Sequence, residues 1–322
     1  MKQRLLFTLL LLAASLVATS CATAPLSPTT FEPAVSQALP EVPTDPEAVI
    51  PTDPAIHTGR LENGLTWYVR RNAVPSDRVE LWLVVNAGSV LEDEDQRGLA
   101  HFVEHMAFNG TRDFAKQELV KYLESIGMRF GADVNASTTF DETLYTLTIP
   151  TDKTEFLEQG FKILENWAAH ISFDPEEVDK ERGVVIEEWR LGRGASARMN
   201  DRQFPVLFQG SRYAERLPIG KKDILETATA ETLRRFYADW YRPDLMAVIA
   251  VGDVDPSRLK ELIRRHFGRI PAAAAPRERP SFPVPPHAET LVAVATDPET
   301  TDTSGSVYSK LPARRQDRVG DY

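Results

Sequence analysis

Three residues carry the first chemical signal in this chain: His101, Glu104 and His105, within Gly98-Leu99-Ala100-His101-Phe102-Val103-Glu104-His105-Met106. On an α-helix, residues four apart lie about 40° apart in azimuth and one turn apart in height. Two imidazoles in that relation can converge on one cation, and imidazole nitrogen with carboxylate oxygen is a ligand set suited to zinc. Glu104 shares the face, where its carboxylate can touch a water held by such an ion. The bare spacing equally suits two solvated surface histidines beside a glutamate, so the pattern alone leaves both readings open.

The flanking elements decide how such a cluster would be held. The globular body begins near His57, and Leu61 to Arg71 reads as the second arm of a hairpin turning at Asn63-Gly64. Val79 to Val85 is a strand running into the loop Asn86-Ala87-Gly88, and Gly98 to Asn109 has helical character. Lys116 to Ile126 is a helix stopped by Gly127. Thr143 to Ile149 alternates and ends at Pro150, as an edge or outer strand would. Long helical stretches follow at about 152 to 170 and 174 to 191, the second opened by Asp174-Pro175-Glu176-Glu177. Thr229 to Trp240 is amphipathic, Leu245 to Val251 is an apolar strand, and Pro256 to Phe267 is another helix. Residues 271 to 286, with six prolines and four consecutive alanines, read as a linker. Leu291 to Ala295 is the one candidate strand beyond it. The expected division is a body over 56–270, the linker over 271–286, and the opening of a second, truncated domain over 287–322.

The wider context of the histidines sharpens the reading. Gly88, nine further residues, Gly98-x-Ala100-His101 and the trailing Phe108-Asn109-Gly110-Thr111 resemble the zinc-binding signature of the insulinase-like (pitrilysin, M16) metallopeptidases. The inverted order H-x-x-E-H marks that group. Gly131 to Tyr145, with Asn135-Ala136-Ser137-Thr138, resembles the family's substrate-binding edge strand, where a peptide adds as an extra strand. Glu181-Arg182-Gly183-Val184-Val185-Ile186-Glu187-Glu188-Trp189-Arg190 resembles the helix that supplies a third ligand. Tyr237-x-x-Trp240-Tyr241-Arg242-Pro243 and Met246 to Gly252 look like the family's scaffold, with Trp240 and Tyr241 as packing residues.

Choosing that third ligand sets two criteria against each other. Glu181 follows His105 after 75 intervening residues and Glu188 after 82, and the family's usual seventy-odd favours Glu181. The local E-R-x-V-V-x-x-E run, which the ligand closes in the family, favours Glu188. Seven residues are about 700° of helix, so both glutamates lie on nearly the same face. The resemblance therefore implies one Zn²⁺ per chain on His101, His105 and Glu188, with Glu181 supporting the site. Glu181 and then Glu187 are the alternative ligands. Glu104 would take a proton from the attacking water and pass it to the leaving amine, and Asn135 and Ala136 would bind substrate backbone.

What the resemblance implies is an α+β fold, a mostly antiparallel sheet backed by helices, as in the insulinase and mitochondrial processing peptidase family. The implied activity is zinc-dependent endopeptidase action on peptides or unfolded segments. The alternative is a non-catalytic partner subunit or scaffold, since family members work as paired halves and some halves have lost the zinc motif. A C-terminal half or second subunit is expected to complete the site. His57, His170, His266 and His287 have no partner spacing and read as structural or solvated.

Composition narrows the partners. The chain has 322 residues, with 37 Lys plus Arg against 47 Asp plus Glu, a net charge of −10 that repels phosphate backbones and argues against nucleic acid. Its single cysteine, Cys21, excludes an intrachain disulfide and a cysteine-based zinc site. Lys2 and Arg4 precede an apolar run, Leu5 to Val17, that is too short to span a bilayer and reads as a signal peptide over 1–21. Ala18-Thr19-Ser20-Cys21 resembles a lipobox, and Ala22 after it implies an outer-membrane lipoprotein facing the periplasm, attached through the lipid alone. The alternative is conventional cleavage at Ala22-Thr23-Ala24 and a soluble periplasmic protein. Residues 22–55, with eight prolines, form the expected tether.

Overall fold

Strict alternation builds the centre of the sheet. In Arg78–Val85 (β3) every second side chain is buried, Val79, Leu81, Leu83 and Val85. Thr143–Pro150 (β5) repeats this with Tyr145, Leu147 and Ile149, and Met246–Gly252 (β6) with Val248 and Ala250. One face of each strand is thus apolar and must be covered. The computed structural model describes residues 43–116, 118–311 and 317–321. The expected signal peptide, Cys21 and the tether as far as residue 42 lie outside the described residues.

Ile56–Arg60 (β1) and Thr66–Arg71 (β2) form a hairpin around Asn63-Gly64, where Gly64 takes the left-handed conformation the turn demands. Val134–Thr138 (β4) pairs with β5 at the opposite end. The sheet order is β1-β2-β6-β3-β5-β4, and every pairing is antiparallel except that of β2 with β6. The fold is α+β, a mostly antiparallel sheet backed by helices.

The helices are Leu99–Met106 (α1), Glu118–Ser125 (α2), Thr154–Ala169 (α3), Pro175–Leu191 (α4), Ala195–Leu207 (α5), Lys222–Thr227 (α6), Ala230–Trp240 (α7) and Pro256–Phe267 (α8). α3 lies close on the sheet because Gly160 offers no side chain: a Cβ there would meet Leu81 and Ile149 at about 3 Å. α8 buries Leu259, Leu262, Ile263 and Phe267, and α7 buries Leu233, Phe236 and Trp240. Asp174 caps α4 by accepting from the amides of Glu176 and Glu177, as its sequence suggests. Among the described residues no helix is long and apolar enough to cross a membrane.

Two sequence expectations change, and two helices are added. β5 is not an edge or outer strand: β3 and β4 pair with it on either side, and Pro150 is tolerated because it lies beyond Leu147, the last partner of β4. Leu291 to Ala295 forms no strand: among the described residues no strand pairs with it, and Val292 and Val294 stay exposed. α5 and α6 were not read from the sequence; α5 buries no residue fully and contains Pro205, so its hydrophobic pattern is faint.

Candidate metal centre

α1 is clamped at both ends. Gly98 precedes it with φ of 106°, a conformation that costs a side-chain-bearing residue dearly. The buried carboxylate of Glu92 accepts from the amides of Gly98 (3.0 Å) and Ala100 (2.8 Å), taking up amides that the first helical turn leaves free. Arg216, itself buried, donates to the Glu92 carbonyl, and Ser89 donates to the Arg216 carbonyl. Gly220 packs so closely on Gly98 that a Cβ on it would overlap the Gly98 backbone. At the other end the Trp167 indole donates to the Ala107 carbonyl at 3.0 Å. Leu99, Ala100, Phe102, Val103 and Met106 are buried, which turns the remaining face of α1 outward with His101 and His105 partly exposed.

α4 meets that face. Arg182 ties it down by donating to the carbonyls of Leu225 and Ala228 around the end of α6, and Val178 and Val185 bury its underside. Glu181 and Glu188, two turns apart, both arrive at the histidines. Nε2 of His105 lies 3.2 Å from Nε2 of His101 and 3.3 Å from Oε2 of Glu188, and the His101 to Glu188 separation is 3.8 Å. These three ligand atoms all lie within 4.8 Å of one another. A tetrahedral zinc with bonds of about 2.0–2.2 Å holds its ligand atoms roughly 3.3–3.6 Å apart, so the donor set has the right kind and the right spacing. Glu181 instead reaches the far side of His105, with Oε1 2.8 Å from Nδ1. Glu187 points elsewhere, its carboxylate paired with Arg190.

Burial and the proximity of His105 push His101 down to about 4, against the pull of Glu188, so its imidazole is neutral near pH 7 and free to ligate. Burial also disfavours a charged His105, but the Glu181 hydrogen bond and the carboxylates of Glu104, Glu181 and Glu188 outweigh it and raise its affinity for a proton. Glu181 is lowered despite its burial, chiefly by His105.

Glu104 lies on the same face and is 8% exposed. Burial raises its pKa, opposed by a hydrogen bond from Thr138 and the charge of His105. Thr138 Oγ1 donates to Glu104 Oε2 at 2.8 Å from the end of β4. The hydroxyls of Tyr145 and Tyr241 are buried and bonded to each other at 2.8 Å. Asn135 and Ala136 lie on β4, one of the two edge strands of the sheet, and the Asn135 Oδ1 accepts from the Ala136 amide at 2.9 Å. The remaining histidines stand apart: His266 bonds Glu165, His170 approaches Arg112 and Glu165, and His287 bonds the Glu289 carbonyl.

Sequence reasoning gave no role to Glu92 or Thr138. Thr138 had a usable signal, because on a strand it shares the face of Ala136. Glu92 had none, since its partners are backbone amides brought near by a turn.

Two helix-borne histidines and a glutamate from a second helix, set against this sheet, form a candidate metal site, and comparison with known proteins gives the family. The insulinase (peptidase family M16) profile matches residues 68–192, and the peptidase M16 inactive-domain profile matches 227–317. The chain belongs to the M16, insulinase-like family. It is 44% identical over 265 residues to a zinc protease PQQL-like protein of Arabidopsis thaliana, covering 82% of this chain and 28% of that one. It is 42% identical over 241 residues to the probable zinc protease PqqL of Haemophilus influenzae, covering 74% and 26%. The crystal structure of the first half of the periplasmic protease PqqL from Escherichia coli superposes with a TM-score of 0.70 at 40% identity, covering 74% of this chain and 51% of that one. The chain thus spans little more than a quarter of the length of the two full-length relatives.

Proposed function

We propose that this chain is the zinc-bearing part of an endopeptidase that hydrolyses peptides or unfolded protein segments. The observation that carries the proposal is the convergence of His101, His105 and Glu188 ligand atoms within 4.8 Å, with the Glu104 carboxylate on the same helix face. His101, His105 and Glu188 would hold one zinc, and Glu181 would hold His105 in the tautomer that presents Nε2. Bound there, zinc supplies Lewis acidity toward water and toward a peptide carbonyl. Glu104 takes the proton of the attacking water and delivers it to the leaving nitrogen. Asn135 and Ala136 would hold substrate backbone along β4. A C-terminal half or second subunit would supply further substrate contacts, which fits the fraction of its relatives that this chain spans. The leader, with Cys21 as a lipidated residue, would deliver the chain to the periplasmic side of the outer membrane.

The second reading, a non-catalytic partner, draws on the inactive-domain match over 227–317. Against it stands the full set of His101, Glu104, His105 and Glu188 outside that segment. Titrating the metal-free chain with zinc while following cleavage of an unstructured peptide separates the two. One tightly held zinc and chelator-sensitive cleavage are expected, and a chain that binds no zinc sinks the proposal.

A further inference from the structure

We infer that Thr138 is a positioning residue that joins an added peptide strand to the base Glu104, a role that rests on the peptidase reading above. The first half of the argument is the edge of the sheet. Thr139 donates its amide to the Glu142 carbonyl, and Thr148 donates its amide to the Asp133 carbonyl. Hydrogen-bonded pairs alternate along an antiparallel ladder, so with the observed register Asn135 and Ser137 turn their backbone groups toward β5. Val134, Ala136 and Thr138 turn theirs to the open side. Three of those groups are already occupied: the Val134 amide donates to the Arg129 carbonyl, the Val134 carbonyl accepts from Gly131, and the Ala136 amide donates to the Asn135 side chain. An incoming strand therefore meets the Ala136 carbonyl and the backbone of Thr138, the groups beside Glu104 that have no partner across this edge among the described residues.

The second half is the side chain of the same residue. Thr138 Oγ1 donates to Oε2 of Glu104 at 2.8 Å, and Oε1 makes no hydrogen bond among the described residues. The tyrosine hydroxyls nearby are bonded to each other, which leaves Thr138 as the donor that fixes the carboxylate. Oε1 is then the oxygen left to receive a proton. Pairing a peptide to the Thr138 backbone restrains the torsions of that residue and with them the hydroxyl that aims Glu104. One residue thus serves substrate with its main chain and the base with its side chain.

The test compares Thr138→Val and Thr138→Ser in the full chain. T138V keeps the shape and the backbone but loses the donor. It should retain one zinc per chain and bind a peptide with a reduced, uncleavable scissile bond within about 2-fold of the parent. Its kcat should fall about 10-fold, the equivalent of one hydrogen bond to a charged group. T138S should restore kcat to within about 2-fold. A crystal structure of metal-free T138V should show the Glu104 carboxylate moved from its place, a readout that needs no activity. Unchanged kcat in T138V, no rescue by serine, or an unmoved Glu104 would each overturn the role of Thr138. If the parent itself cleaves nothing, the peptidase reading fails, and the position of Glu104 in T138V alone decides whether Thr138 holds it.

Discussion

Oε1 of Glu181 lies 2.8 Å from Nδ1 of His105, on the opposite side of the imidazole from the nitrogen that faces His101 and Glu188. Two glutamates of one helix thus approach one histidine from its two ends. An acceptor at Nδ1 holds the proton there and leaves Nε2 as a lone-pair donor, which divides the work between Glu181 and Glu188.

That division predicts different losses. Glu188→Gln should empty the site, whereas Glu181→Gln should weaken zinc binding by about 10 to 100-fold while leaving the ligand set intact. Glu187→Gln should change neither, since its partner is Arg190. Metal analysis after dialysis checks all three, and zinc lost only from the Glu181 variant would reverse the assignment.

Glu104→Gln should leave zinc near one per chain and lower the hydrolysis of an unstructured peptide by about 100-fold or more, the usual contribution of a positioned base. Cleavage near the parental rate would remove Glu104 from the mechanism.

Glu92 predicts a pH dependence of stability. Burial raises its pKa from the ordinary 4.5 to about 8, against hydrogen bonds from Ala100 and Gly98 and the charges of Arg216 and Arg97. Below 4.5 the carboxyl is protonated folded or unfolded, and its contribution is fully present. As pH rises toward 8 the unfolded chain loses its proton first, so stability falls across that window and levels above it. Glu92→Gln cannot titrate and should flatten this slope. Urea unfolding at pH 5 and pH 8 measures it, and equal slopes in parent and variant would contradict the burial of a protonated Glu92.

The chain by itself should load zinc and turn over slowly. The ligand set lies within residues 101–188, but holding a peptide at the site is a separate requirement, and misplacement by about 1 Å can cost on the order of 100-fold. A C-terminal half added in trans should raise kcat/KM. Full turnover from the monomeric chain, unaltered by that addition, would show that no second half is needed.

How much of this could be read in advance follows from range. His101, Glu104 and His105 share one short helix, so local spacing places them together. Glu188 and Glu181 required the local pattern to outweigh the count of intervening residues, and the two-turn spacing on α4 explains why both reach His105. β4 was legible as an edge through its resemblance, but β5 was misjudged because Pro150 signals a strand end as readily as a sheet end. The Glu92 clamp and the Thr138 hydroxyl were illegible, because each joins segments that meet only after the sheet and its covering helices assemble.

The place of β6 in the sheet sets a timetable. β2 and β3 follow each other in sequence yet never pair, because the strand between them begins only at Met246. Until β6 docks, each keeps one edge unpaired, and closing so long a loop is slow compared with making a hairpin. In that interval two strand edges are open to any other extended chain. The stage before β6 docks is therefore when this sheet is most exposed to misassembly.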